Sequence, residues 1–329
     1  MSTTKILITG ITGQDGIFLS SLLLKKQEDL KIFGISRSGK NNEFYKKLHN
    51  ENKKFDENKI DIINLDLLNL KEVERLLADL KVDRIVNLSG PSSVYNSFQK
   101  TEEYKNTIII QFNNLIEGCI KTKNFPSFFQ ASSSEMFSSS APIPLNENSK
   151  MKPRSPYSEA KYILHNKVDE LRESYDWNIK SGVMFNHESE YRSENFLVMK
   201  VINTVLNIYN DIDSELTVGS LEYKREWSYA YDIAKAIDLV INEVNPVDYV
   251  IGSGSGNTIL DMIKCVFEYF NLDYQNYVKV DSTLLRDGDP IQIVSDPSLI
   301  YKNLGWKTEV SFQSMLNKII EFKLKSKSN

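Results

Sequence analysis

Cysteine is scarce in this chain, charge of one sign is not in excess, and no apolar run is long. Each shortage removes a class of protein. The two cysteines, Cys119 and Cys265, sit among helix-period apolar residues without metal-ligand spacing. They read as buried thiols rather than a disulfide, a metal site or a nucleophile. With 40 basic and 44 acidic residues well mixed, the net charge is −4, and there is no basic stripe of the kind that meets nucleic acid. No segment approaches the roughly 20 apolar residues that span a bilayer, and Met1-Ser-Thr-Thr has no signal-peptide pattern. The expectation is a cytoplasmic protein with neither nucleic acid nor membrane as partner. At 329 residues, 41% hydrophobic and 26% charged, the chain can bury a sizeable core as one large α/β domain or a domain plus a smaller lobe.

What is present is organised around Lys5 to Gly16, where Lys-Ile-Leu-Ile-Thr runs into glycines at 10, 13 and 16 and then into Ile17, Phe18, Leu19, Leu22 and Leu23. A β-branched run, a glycine turn and helix-period leucines describe a strand turning tightly into a helix. Glycine lets a ligand approach the main chain, and the free N–H groups at the helix start attract a pyrophosphate, so the turn predicts dinucleotide binding. Counting 20 residues on from Gly16 reaches Ser36, beside Arg37. An arginine there suits a 2′-phosphate where an acidic residue would suit a ribose hydroxyl, which favours NADP over NAD. The bland alternative is that Arg37 is one more surface cation.

Further along, Lys31–Ser36, 59–66 and Arg84–Ser89 read as strands, with a helix from about Leu70 to Asp79. Residues 41–58, rich in Lys, Asn and Glu, read as a solvated loop or loose helix. Glu102–Lys121 reads as a long helix, Ser127–Ser132 as a fifth strand, Tyr157–Tyr175 as a helix and Ile179–Phe185 as a sixth strand. Strands alternating with helices predict an α/β fold, a doubly wound parallel (Rossmann) sheet with a smaller C-terminal substrate-binding lobe. The NADP-binding domain is expected over residues 1–185, with 229–252 returning to it, and the substrate lobe mainly over 186–329, with helices near 196–209, 229–243, 259–270 and 312–323. Ligands of such sheets lie beyond the carboxyl ends of the strands, where Asp66, Ser89, Gly90, Pro91 and Ser92 fall.

Ser133, Tyr157 and Lys161 form a set with one chemistry. An ammonium one helical turn from a phenol favours the phenolate. Tyr157 then removes a hydroxyl proton as hydride leaves the same carbon, and Ser133 holds the oxygen. Glu135, two positions beyond Ser133, faces the same side in an extended segment. Oxidation at C4 of a hexose makes the C5 proton acidic, and a carboxylate placed there removes it while the C6 hydroxyl leaves as water. The alternative is a solvated loop glutamate.

Ile8-Thr-Gly-Ile-Thr-Gly-Gln-Asp-Gly16, Gln130-Ala-Ser-Ser-Ser-Glu-Met-Phe137, Pro153-Arg-Ser-Pro-Tyr157 with Lys161, Phe185-Asn-His-Glu-Ser189 and Lys224-Arg-Glu-Trp227 together resemble the GDP-mannose 4,6-dehydratase family. These are extended short-chain dehydrogenase/reductases, and the likeness continues to Asp296-Pro-Ser and Leu304-Gly-Trp306. The resemblance implies catalytic positions at Ser133, Glu135, Tyr157 and Lys161. It implies NADP contacts from Gly10, Ile11, Thr12, Gly13, Gln14, Asp15 and Gly16, and from Arg37, Asp66, Leu67, Leu88, Ser89, Gly90 and Ser92. Tyr157, Lys161, His187 and Arg192 join that set, and Tyr104 matches a further contact with a one-residue shift. For a GDP-linked nucleotide sugar it implies Ser92, Ser133, Glu135, Asn186 and Lys200, with Arg225 and Arg286 as diphosphate clamps. A guanidinium matches paired phosphate oxygens. No metal is implied, and a homodimer through the helices near 104–121 and 157–175, or a homotetramer, is.

Departures from the family pattern gather away from the catalytic set. Ser138 stands where a glycine is usual, Glu190-Tyr191-Arg192-Ser193 replaces Pro-Arg-Arg-Gly, the arginine-rich loop after the second strand is thinned, and Asp287-Gly-Asp-Pro290 replaces Arg-Pro-x-Glu. The reading is a GDP-sugar 4,6-dehydratase, acting on GDP-mannose or a relative such as GDP-manno-heptose with NADP recycled internally. The alternatives are a nucleotide-sugar epimerase or NADPH-dependent ketosugar reductase, and a non-catalytic NADP-binding regulator.

Overall fold

A computed structural model describes residues 3–26, 29–39, 42–285 and 288–327. Its central sheet is made of short aliphatic runs: β1 (Thr4–Thr9), β2 (Leu30–Ser36), β3 (Ile60–Asn64), β4 (Arg84–Asn87), β5 (Ser127–Ser133), β6 (Ile179–Met184) and β7 (Tyr249–Ile251). They lie in the order 7-6-5-4-1-2-3, each neighbouring pair parallel. Helices α1 (Gln14–Lys25), α2 (Asn42–Glu51), α3 (Leu70–Leu80), α4 (Val94–Gln99), α5 (Thr101–Thr122) and α6 (Pro156–Tyr175) form the connections up to β6. Beyond it come α7 (Leu197–Tyr209), α8 (Ala230–Asn242), α9 (Ile259–Tyr269), α10 (Ser298–Leu304) and α11 (Phe312–Lys327).

Parallel strands need crossover helices, and those helices bury both faces of the sheet. Along β1 the side chains alternate accordingly. Ile6 and Ile8 share a core with Ile17, Phe18 and Leu19 of α1, while Leu7 joins Phe112 and Leu115 of α5 on the other face. Helix α8 lies against α1 and contributes Ile233, Ile237 and Ile241 to the first of these cores. From β1 the chain passes to β2 on one side and returns to β4 on the other, which places a crevice at the carboxyl ends of β1 and β4.

Two local devices fix the elements that border this crevice. Ser155 and Ser158 cap α6 reciprocally, the Ser155 hydroxyl accepting from the Ser158 N–H at 3.1 Å and the Ser158 hydroxyl from the Ser155 N–H at 2.9 Å, with Pro156 opening the helix. In the C-terminal half, Lys224–Arg225 pairs antiparallel with Asn257–Thr258 and parallel with Gln292–Ile293. The buried Glu226 carboxylate, next in sequence, accepts from the Ser295 hydroxyl at 2.8 Å and the Ser253 N–H at 2.7 Å.

The stretch after β2, expected as a loop or loose helix, folds as α2 because Phe44 and Leu48 are four apart and bury together. A Glu43–Lys47 ion pair of 2.7 Å lies on the same helix. Helix α4 (6 residues), α10 (7 residues) and strand β7 (3 residues) had no counterpart in the sequence reading, being too short to display a period. Among the described residues no helix is long and apolar enough to cross a membrane.

Candidate active site

The β1–α1 turn borders a cleft of about 1130 Å³. Gly10 has φ +65°, and a Cβ there would lie 2.6 Å from the Leu88 carbonyl oxygen. A Cβ on Gly16 would lie 2.4 Å from the Ile11 carbonyl oxygen, so α1 packs directly on the turn and its first N–H groups stay close to the cleft. Gly10→Ala is expected to lose about 1–2 kcal/mol through the left-handed backbone alone, with the overlap on Leu88 added. An unchanged thermal midpoint would contradict this account of the turn.

Helix α1 is also tied to the segment after β6. Gln14 Nε2 donates to the His187 carbonyl at 3.0 Å, and Gln14 Oε1 accepts from the Ser189 hydroxyl at 2.9 Å. The Asp15 carboxylate lies 3.1 Å from His187 Nε2, and His187 Nδ1 donates to the Phe185 carbonyl at 2.7 Å. Burial disfavours charge on both groups of this pair, yet each outweighs it for the other. His187 holds the Asp15 carboxyl below the usual range, and Asp15 holds the imidazole above its own.

Ser133 ends β5, and the 3₁₀ turn Ser134–Met136 that follows carries Glu135, whose N–H donates to Ser133 Oγ at 3.3 Å. Tyr157 and Lys161 stand one turn apart at the start of α6, and the Ser133 side chain is near enough to the Tyr157 phenol to favour its ionisation. Lys161 Nζ donates to the Ala131 carbonyl at 2.8 Å. A buried chain backs that carbonyl: Gln130 Nε2 donates to it at 2.8 Å, Asn87 Nδ2 to Gln130 Oε1 at 2.7 Å, and Thr9 Oγ1 to Asn87 Oδ1 at 2.6 Å.

Lys161 Nζ, held by the Ala131 carbonyl, lies 5.8 Å from the Tyr157 ring centroid. Burial dominates both groups: it pushes the Tyr157 phenol up to about 12, against the opposing influence of Ser133, and pushes Lys161 down to about 8.

Most residues singled out in the sequence line this one cleft. Gly10, Thr12, Gly13, Gln14, Asp15 and Gly16 border it from the turn, and Arg37 and Leu67 from beyond β2 and β3. Leu88, Ser89, Gly90, Pro91 and Ser92 follow β4, with Tyr104 from α5. Ser133, Glu135, Tyr157 and Lys161 sit between these and Asn186, His187, Arg192 and Arg225. Arg192 Nε lies 3.1 Å from Glu188 Oε2, and its guanidinium carbon 3.5 Å from the centre of the Phe196 ring. Arg225 Nη2 is 3.2 Å from Asp289 Oδ1.

Three residues do not line it. The Ile11 side chain is fully buried in the core beneath the turn, leaving only its backbone near the cleft. Asp66 is exposed and accepts from the Leu68 N–H at 3.0 Å, capping its own turn. Lys200 is exposed on α7 and donates to the Thr217 carbonyl at 2.8 Å. Arg286 lies outside the described residues. The structure adds Asp289 to the lining and Arg154 behind Glu135. Arg154 belongs to the Pro-Arg-Ser-Pro-Tyr motif, whose spacing to Tyr157 was the available signal.

A family model described as GDP-mannose 4,6 dehydratase matches residues 7–319. The chain is 31% identical to GDP-mannose 4,6 dehydratase 2 of Arabidopsis thaliana, over 96% of this chain and 85% of that one. It is 30% identical to a GDP-mannose 4,6-dehydratase of Vibrio cholerae, over 97% of this chain and 93% of that one. Among solved structures, dTDP-glucose 4,6-dehydratase from Streptomyces venezuelae with NAD and TYD bound superposes with a TM-score of 0.84 at 19% identity, covering 99% of this chain and 98% of that one, which is a likeness of fold. A family match over nearly the whole length, together with those relatives, makes the chain a member of the GDP-mannose 4,6-dehydratase family.

Proposed function

We propose that the protein is a GDP-sugar 4,6-dehydratase, a hydro-lyase that converts GDP-mannose or a close relative such as GDP-manno-heptose to the 4-keto-6-deoxy sugar and uses NADP without consuming it. The observation that carries this reading is the meeting in one cleft of a glycine turn with Ser133, Glu135, Tyr157 and Lys161. The turn fits a pyrophosphate, because Gly10 and Gly16 leave no Cβ in the way and the start of α1 supplies N–H donors. Arg37, with Ser36 and Ser38 beside it in the cleft lining, suits a 2′-phosphate and supports NADP over NAD. A nicotinamide cofactor held by the turn and Arg37 would supply the hydride chemistry, oxidation at C4 and reduction at C6 of the sugar.

The chain's own groups handle the protons. Tyr157 accepts the proton of the C4 hydroxyl while Ser133 holds that oxygen. With C4 a ketone, Glu135 removes the acidic C5 proton, and the C6 hydroxyl leaves with a proton as water. The proton taken at O4 balances the one returned to C5, so one water is the whole difference between substrate and product. Arg225 and Arg286 are assigned to the diphosphate, and Asn186 and Lys200 to the nucleotide sugar, Lys200 by turning from the Thr217 carbonyl. In this reading residues 1–185 with 229–252 hold the cofactor, and 186–329 mainly the nucleotide sugar.

The test is to mix purified protein with GDP-mannose, without added cofactor, and look by mass spectrometry for a product lighter by one water. No such product from protein that carries NADP moves the substrate to a GDP-manno-heptose or another nucleotide sugar, and NAD released on denaturation would overturn the cofactor assignment. A homodimer is expected through α5 and α6, which expose Ile110 and Ile163 at 41% and 42%. Sedimentation should give a dimer or larger, and Ile110→Glu with Ile163→Glu a monomer; a monomeric native protein would exclude this interface.

A further inference from the structure

We propose that Arg154 is a positioning residue that holds Glu135 for the C5 proton, an inference that rests on the dehydratase reading above. Arg154 lies just before α6 and reaches back to the 3₁₀ turn after β5. Its Nη2 is 3.5 Å from Glu135 Oε2 and 3.9 Å from Asp289 Oδ1, and its Nη1 donates to the Phe137 carbonyl at 2.8 Å. The Arg154 N–H donates to the Ser158 hydroxyl at 3.0 Å, which ties the same residue into the cap of α6. Groups on two separate stretches of chain, residues 135–137 and Asp289, therefore face the guanidinium, while Ser158 holds the backbone of the same residue.

Glu135 needs such a partner. It stands on a 3₁₀ turn of three residues, held through its backbone by Ser133, while its side chain has three rotatable bonds that a backbone contact does not fix. Exposure of 13% for Glu135, 17% for Arg154 and 10% for Asp289 takes the group largely out of water, where a charge pair is screened less. Among the described residues, the charged or titratable groups around Glu135 include Tyr157 from α6, Arg154 ahead of that helix, and Asp289 beyond Arg154, itself 3.2 Å from Arg225. Asp289 shares Nη2 with Glu135, so the positive charge is divided between two carboxylates. A planar fork can meet a carbonyl and a carboxylate at once, which a lysine ammonium does less well.

The experiment uses the cofactor-bound protein. Arg154→Met should lower kcat for water loss about 100-fold, the scale of a misplaced catalytic group, with KM for the nucleotide sugar changing much less because Arg154 is not itself assigned to the diphosphate. Exchange of the C5 hydrogen of the 4-keto-6-deoxy product for solvent deuterium should fall in parallel. Arg154→Lys should recover about tenfold of that loss, and it carries the comparison if the methionine variant does not fold. A crystal structure of the variant should show the Glu135 carboxylate swung from its place. C5 exchange at the native rate, or Glu135 unmoved in that structure, would overturn the proposal. Native protein that never forms the dehydrated product would instead remove the dehydratase reading, and the crystal comparison would still decide whether Arg154 holds Glu135.

Discussion

Glu135→Gln is expected to abolish loss of water, with kcat falling about 10³-fold, while the nucleotide cofactor stays bound. The magnitude is that of removing a positioned general acid–base group. Glutamine keeps the shape of the side chain but has no basic oxygen to take the C5 proton and no proton to give the departing hydroxyl. The effect should be confined to this step, because the pyrophosphate turn at Gly10 and the Tyr157–Lys161 pair are built from other elements. Two measurements separate these claims: mass spectrometry of the sugar product for the missing water, and quantitation of nucleotide released on denaturation for the cofactor. Retained turnover would transfer the role to another carboxylate, and Asp289, across Arg154 from Glu135, is the first to substitute next.

The second large effect is on pH dependence, and its shape follows from burial. Tyr157 acts as a base only when deprotonated, and with its phenol pushed up to about 12 the active fraction grows about tenfold for each pH unit below that value. Lys161, pushed down to about 8, is charged below that pH and neutral above it. If the phenolate and the ammonium are both required, the gain at Tyr157 is cancelled by the loss at Lys161 once pH passes 8. Thus kcat/KM, which reports the free enzyme, should climb about tenfold per unit up to about pH 8 and then level. Lys161→Met should remove the break and continue upward from a lower start, whereas Tyr157→Phe should lose at least about 100-fold and flatten the curve. A native profile without slope below pH 8 would assign the C4 proton to a different group.

Legibility in the sequence tracked the distance over which each feature is encoded. The β1–α1 turn, the Tyr157/Lys161 pair and the Ser133/Glu135 pair are local, so their spacing suggests each, while the role of Glu135 came from the family resemblance. Helix α2 was ambiguous because its apolar face is two residues wide, Phe44 and Leu48, amid lysine, asparagine and glutamate. The protonation of Tyr157 is set on two scales: the proximity of Lys161 is a sequence fact, whereas the burial that pushes the phenol up is a property of the assembled cleft. Long-range pairs were opaque. His187 faces Asp15 from 172 positions away, and Arg154 meets Asp289 through a contact that neither neighbourhood announces.

The packing of α8 on α1 also has a consequence in time. The phosphate turn is synthesised well before the helix that packs on α1, which begins at residue 230, and before the last strand of the sheet, which ends at residue 251. At roughly 5–20 residues per second, translation needs on the order of 10–40 s to pass from α1 to α8. Throughout that interval the face of α1 that packs on α8, Phe18 against Tyr231 among it, lacks part of its final cover. The N-terminal half of the sheet therefore waits on the ribosome, and a chaperone that binds apolar helices would find its window there rather than after release.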